Sequence, residues 1–248
     1  MFSKTTVKYI QSLQHKKFRD EHGCFIAEGP KVVAEFLEGN YFDCVHLYAL
    51  SSWIATLTDS LASFTEQLVE VKDFELEKIS ALAQPNQVLG VFKKKADITK
   101  IDLKDKLTLL LDDIQDPGNL GTIIRNADWF GIENIICSSH TADRYNPKVV
   151  QSTMASLGRV NMVYTDLHEF IKTNANIPVY AAALEGKDLA GFYGTKEGLL
   201  IIGNESKGIS QGLFDLVTQK ITIPKIGEAE SLNAAVATGI ILYALTKK

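Results

Sequence analysis

At 248 residues, 46% hydrophobic and 23% charged, the chain has the composition of an ordinary globular protein and room for one large domain or two modest ones. No apolar run is long enough to span a bilayer and the first residues lack the apolar centre of a secretory signal, so a cytoplasmic protein is expected. The net charge of -4 argues against a protein that coats nucleic acid, and Cys24, Cys44 and Cys137, with no CxxC pair or nearby His, suggest neither a disulfide framework nor a metal site.

The first stretch, Val7 to Asp20, reads as a polar, basic helix ended near Gly23, with Lys4, Lys8, Lys16, Lys17 and Arg19 gathered around it. It has few apolar anchors and reads as a contact arm more than as core. Short apolar runs then alternate with amphipathic segments. Strands are expected at Cys24 to Ala27, Cys44 to Leu50, Gln67 to Val71 and Gln87 to Phe92, and helices at Lys31 to Leu37, Ser52 to Thr58 and Phe74 to Leu82. That alternation makes a small α/β domain, residues 1–95. The charged stretch Lys93 to Lys106 holds only isolated apolar residues, which sets a linker at 96–106.

Beyond it, in a second domain at 107–248, the strands are longer and more apolar: Leu107 to Leu111, Asn134 to Cys137, Asn161 to Tyr164, Pro178 to Ala183, Leu199 to Ile202 and Ile221 to Ile223. Helices are expected at Leu120 to Phe130, Pro147 to Leu157, Leu167 to Thr173, Gly212 to Val217 and Leu232 to Leu245. The class is α/β, with a mostly parallel sheet covered on both faces.

Three polar breaks follow strands in this second domain. In LTLLLDDIQDPGNLGTIIRNADWFG, Leu107 to Gly131, a buried strand breaks at Asp112 to Asn119 and restarts as a helix whose polar face carries Arg125 and Asn126. Such positions are where open α/β sheets bind ligands. In LLIIGNESKGIS, Leu199 to Ser210, a strand ends in Gly203, Asn204 and Glu205, a tight loop with an acidic tip. The Lys and Ser/Thr of a phosphate loop do not follow its second Gly, where Ile209 stands, which disfavours a nucleotide triphosphatase. In ITIPKIGEAESLNAAVATGIILYAL a strand stops at Pro224, and Ser231, the expected N-cap, opens an apolar, small-residue helix with Asn233 in its first turn. Each loop alone has a plain structural reading: a solvated Arg125 or Glu205, a capping Ser231.

Together the three loops resemble the motifs of the SpoU family, the TrmH-like branch of the SPOUT RNA methyltransferases. The first is matched by Asn119, Leu120, Gly121, Arg125 and Asn126, the second by Gly203, Asn204, Glu205, Gly208 and Ser210, and the third by Ile223, Pro224, Ser231, Leu232 and Asn233. Phe18 to Glu38 resembles the start of the family's substrate-binding domain, a fold akin to RNA-binding ribosomal proteins.

The resemblance implies a trefoil knot over roughly Leu199 to Leu245, a rare exception to unthreaded connections. It implies S-adenosylmethionine bound around Gly203, Ile223 and Leu232, and methyl transfer to a ribose 2′-hydroxyl of RNA. The residues implied at the reaction are Arg125, Asn119, Glu205, Ser231 and Asn233. Asn119 would position Arg125 or the ribose, Glu205 would orient Arg125 or its loop, and Ser231 and Asn233 would shape the site. The family makes this Arg a general base, whereas a guanidinium keeps its proton and suits a grip on phosphate and developing oxyanion charge. A homodimer is implied, and ribosomal RNA as partner. The rivals are a non-catalytic RNA-binding or ribosome-assembly factor of the same fold and a tRNA ribose methyltransferase.

Overall fold

The computed structural model describes residues 2–57, 64–96, 98 and 100–247. In chain order the elements are α1 (Lys4–Ser12), α2 (Lys16–His22), β1 (Cys24–Glu28), α3 (Pro30–Glu38), β2 (Cys44–Ala49), α4 (Ser51–Ile54), β3 (Leu68–Glu70), α5 (Asp73–Ile79) and β4 (Val88–Lys93). They continue with β5 (Leu107–Leu111), α6 (Pro117–Trp129), β6 (Asn134–Cys137), α7 (Pro147–Thr153), β7 (Asn161–Tyr164), α8 (Leu167–Thr173), β8 (Val179–Asp188), β9 (Gly198–Ile202), α9 (Gln211–Phe214), β10 (Gln219–Thr222) and α10 (Ala234–Thr246). The helix expected at Ser52 to Thr58 is the single turn α4, and Thr58 lies outside the described residues.

Two compact units form, and they do not follow linear order: Met1–Ala96 joins Asp143–Gly158, while Asp97–Ala142 joins Arg159–Lys248. The first unit holds a four-stranded sheet in the order β1-β4-β2-β3, with β4 antiparallel to β1 and β2, and β3 parallel to β2. Phe25, Phe36, Phe42 and Phe92 pack edge-on or tilted in its core, and Tyr145 joins them with its ring centroid 4.7 Å from that of Phe25. Such ring pairs add to the free energy of area burial.

The contact-arm expectation for the N-terminus is overturned. The stretch folds as two helices: Ser3 caps α1, and Gly23, in the left-handed conformation, ends α2. Ile10 and Leu13 are fully buried in a core with Ile26, Tyr48, Leu76 and Leu89. Arg19 is only 2% exposed, its guanidinium donating to the Asp143 carboxylate and to the carbonyls of Leu13 and Gln14. The density of charge concealed a buried face, because one of the charged residues is itself part of the core.

The second unit is an all-parallel six-stranded sheet, β10-β8-β9-β5-β6-β7. β5, β6 and β9 are buried along their whole length, which is why they read as unbroken apolar runs. Leu103, in the charged segment before β5, packs into the core with Leu110, Ile136, Leu199 and Ile201. α6 lies against α10, where Asn126 Nδ2 donates to the Ala235 carbonyl at 2.9 Å. Asn126, expected beside Arg125 on the outer face, therefore turns inward. No described helix is long and apolar enough to cross a membrane.

Candidate active site at the carboxyl edge of the parallel sheet

The three polar breaks leave β5, β9 and β10 at one edge of the sheet, where strand carbonyl ends meet helix starts. After β5 the chain turns through Asp113, which takes a left-handed conformation, and Asp116 caps α6 by accepting from Asn119 N at 2.8 Å. After β9 the loop closes on itself: Asn204 and Gly208 exchange backbone hydrogen bonds. A Cβ at Gly203 would stand 2.4 Å from the Gly208 carbonyl carbon, so the turn closes only over glycine.

Asn204 ties the loops together. Its Oδ1 accepts from Ser206 N and Lys207 N, at 2.9 and 3.0 Å, and its Nδ2 donates to the Asp113 carbonyl at 2.8 Å. The second motif contains this residue, but its spacing alone assigns it no task. Asp112, at the end of β5, adds a second tie by accepting from Ser210 N at 2.7 Å.

Ser231 is not the cap of the last helix. Asn233 is: its Oδ1 accepts from Ala235 N and Val236 N, at 2.9 and 3.2 Å. The remaining end of that amide donates from Nδ2 to Asn119 Oδ1 at 2.8 Å, and Asn119 Nδ2 in turn donates to Glu205 Oε1 at 2.8 Å. One string of hydrogen bonds thus joins a residue from each loop. Arg125 stands apart from it, exposed on α6 in a stripe with Thr122 and Trp129, and its side chain makes no hydrogen bond or ion pair with the described residues. Glu205 engages Asn119, not Arg125.

Beside the string lies a cavity of about 590 Å³, within the size range of small-molecule sites. Gly203, Ile223 and Leu232 line it, as do Glu205 and Ser231, whereas Asn119, Arg125 and Asn233 do not. Ile202, Ile209 and Ile241 supply apolar walls.

A fourth segment completes the cavity, and sequence reasoning missed it. β8 and β10 pair in register at Ala181 and Lys220 but resume at Lys187 and Ile221, so residues 182–186 of β8 project from the ladder. Ala182, Ala183 and Leu184 from this projection line the cavity, and Leu184 is 74% exposed. Thr222 Oγ1 anchors it by donating to the Ala183 carbonyl at 2.5 Å. The available signal was Gly186, where a Cβ would come within 2.7 Å of the Lys220 carbonyl oxygen; a glycine inside a strand pattern marks such a bulge or close approach.

Residues 106–243 match the model of the SpoU rRNA Methylase family, and residues 4–90 match the MRM3-like substrate binding domain. The 23S rRNA (uridine(2479)-2'-O)-methyltransferase of Streptomyces viridochromogenes is 31% identical over 93% of this chain and 85% of its own length. The 23S rRNA (guanosine(2553)-2'-O)-methyltransferase RlmP of Bacillus subtilis is 29% identical over 96% of this chain and 95% of its own. Among solved structures, the AdoMet-bound rRNA methyltransferase from Sinorhizobium meliloti superposes with a TM-score of 0.85, at 30% identity, covering 98% of this chain and 95% of that one. A family match that takes in all three polar loops and runs over more than half of the sequence establishes that this chain belongs to the SpoU rRNA methylase family.

Proposed function

We propose that this protein is a cytoplasmic, S-adenosylmethionine-dependent methyltransferase that methylates a ribose 2′-hydroxyl of RNA, with ribosomal RNA as its substrate class. The observation that carries the reading is the cavity beside the Asn233, Asn119 and Glu205 string, in a chain whose full-length relatives are named for 2′-O-methylation of 23S rRNA. The two relatives are named for a uridine and a guanosine, so ribose is the shared target and the base is not.

The cavity fits the cofactor on its own evidence: apolar walls for an adenosine moiety, and a Gly203 turn whose backbone a side chain would displace. Gly203, Ile223 and Leu232 hold it, Ser231 shapes the wall beside it, and residues 199–245 thread as the trefoil knot. S-adenosylmethionine supplies a sulfonium-activated methyl group when bound. The protein's own work is to hold the ribose hydroxyl in line and to take up its proton. Arg125 grips the RNA backbone with its guanidinium donors and stabilises charge that develops on the ribose oxygen.

The same reading makes the protein a homodimer. α10 is apolar nearly all round, yet Val236, Ile240 and Tyr243 are exposed along one side, with Leu232 before it and Trp129 of α6 82% exposed. Exposed apolar surface of this extent marks an interface, and a second copy of the chain is the occupant.

The test is a map of ribose 2′-O-methylation across ribosomal and transfer RNA in cells with the gene, without it, and with Arg125→Ala. Loss of one ribosomal mark in both altered strains is expected. A lost transfer RNA mark redirects the substrate class. No change anywhere, with cofactor and RNA binding intact in the purified protein, overturns methylation of these RNAs and leaves a binding factor.

A further inference from the structure

The string of hydrogen bonds at the sheet edge can run in one direction only. Asn233 must turn its Oδ1 toward the first amides of α10, because two N–H groups there need an acceptor. Its Nδ2 is then left facing Asn119, which must answer with Oδ1. Asn119 can therefore offer only N–H to Glu205, and Glu205 must accept. The orientation of both amides, ordinarily a matter of choice, is dictated from the helix end.

The terminus of the string is a carboxylate with one oxygen taken. Oε1 receives Asn119, while Oε2 has no partner among the described residues, on a side chain that lines the cavity. Asn204 holds the loop from beneath, with its Oδ1 and Nδ2 both committed to backbone groups. Arg125, the other charged group of the motifs, carries a guanidinium, which has five N–H donors and no acceptor.

From this we infer that Glu205 takes up the proton of the ribose 2′-hydroxyl, and that Asn119 and Asn233 are positioning residues that act through it. The inference rests on the methyltransferase reading above. In the transfer the ribose oxygen gains the methyl group, and the carbon–sulfur bond of the donor breaks with its electron pair leaving on sulfur. The hydroxyl proton passes to Glu205 Oε2 and from there to water, to which this exposed side chain is open.

The experiment uses the full-length protein with ribosomal RNA and reads kcat against pH together with two quantities independent of turnover. These are calorimetric binding of S-adenosylhomocysteine and the pH midpoint of the Glu205 carboxyl carbon by NMR. Wild-type kcat is expected to fall in acid with that midpoint. Glu205→Gln still offers Asn119 an acceptor, so ligand binding should stay within about threefold while kcat drops about 100-fold or more and the acid limb disappears. Asn119→Asp sets a second carboxylate against Glu205, and both the acid limb and the carbon midpoint should move up by about one pH unit or more.

A Glu205→Gln enzyme that keeps more than about a third of kcat overturns the inference, as does one whose ligand binding and kcat fall together. So does an Asn119→Asp enzyme in which neither limb nor midpoint moves. An active wild type with those results refutes the role of Glu205 alone; a wild type that methylates no RNA refutes the methyltransferase reading with it.

Discussion

Arg19 and Asp143 stand 124 residues apart in sequence and meet at 2.6 Å, the Arg19 guanidinium donating twice to one carboxylate oxygen of Asp143. The pair fastens residues 143–158 to the unit built by the N-terminus. Removing one partner of a buried ion pair strands the other charge, which costs about 3 kcal/mol or more. Asp143→Ala should lower the stability of that unit by this amount in urea unfolding, and Arg19→Met with Asp143→Leu should recover most of it. A loss below about 1 kcal/mol in the single variant would show that the Leu13 and Gln14 carbonyls alone satisfy Arg19.

Thr108, the second residue of β5, is fully buried and its hydroxyl has no hydrogen-bond partner among the described residues. Valine has the same shape without the unsatisfied group. Thr108→Val should therefore stabilise the protein by about 1 kcal/mol, read as a higher unfolding midpoint at unchanged slope. A destabilised variant would mean that the hydroxyl is satisfied in solution.

Glu28 makes stability depend on pH. Burial pushes its carboxyl above the ordinary range, against hydrogen bonds from Ser80 Oγ and Ala81 N that pull it down. Because the folded value is the higher one, the folded state binds this proton more readily. The contribution is fully present below the unfolded value and is lost as pH rises through the folded one. Glu28→Gln keeps both partners without the charge, so its advantage over wild type should grow as pH rises from about 4 to about 7. Parallel stability curves for the two proteins would sink this account.

The two candidate caps of α10 separate cleanly. Asn233→Ala removes two hydrogen bonds to the helix start and the one to Asn119, and should cost about 1 to 2 kcal/mol. Ser231→Ala should stay within about 0.5 kcal/mol, as surface substitutions do. Thermal unfolding of both variants decides between them, and equal losses would restore Ser231 to the capping role.

Ile240 tests the proposed dimer. Ile240→Glu places a charge in the exposed apolar stripe of α10, at a side chain 39% exposed. Light scattering should show the wild type at twice the chain mass and the variant at the chain mass. A wild-type monomer would leave that stripe without its proposed occupant.

Much of the second unit is legible in the amino-acid pattern alone. Leu107–Leu111, Asn134–Cys137 and Asn161–Tyr164 are strands, and Leu167–Thr173 a helix, at the bounds the pattern predicts. Apolar runs between clusters of turn residues are local signals, and backbone geometry translates them directly. The three polar loops, too, announce themselves by where the apolar runs stop. What a local pattern cannot carry is the choice of partner for a polar side chain across a gap. That Asn119 meets Asn233 and Glu205, that Asn126 turns toward α10, and that Arg19 belongs inside were decided only when distant strands and helices came together. The same holds for residues 182–186, whose projection arises from a mismatch of register between β8 and β10. Periodicity reports which face of an element is apolar, while hydrogen-bond partners depend on distances that exist only after packing.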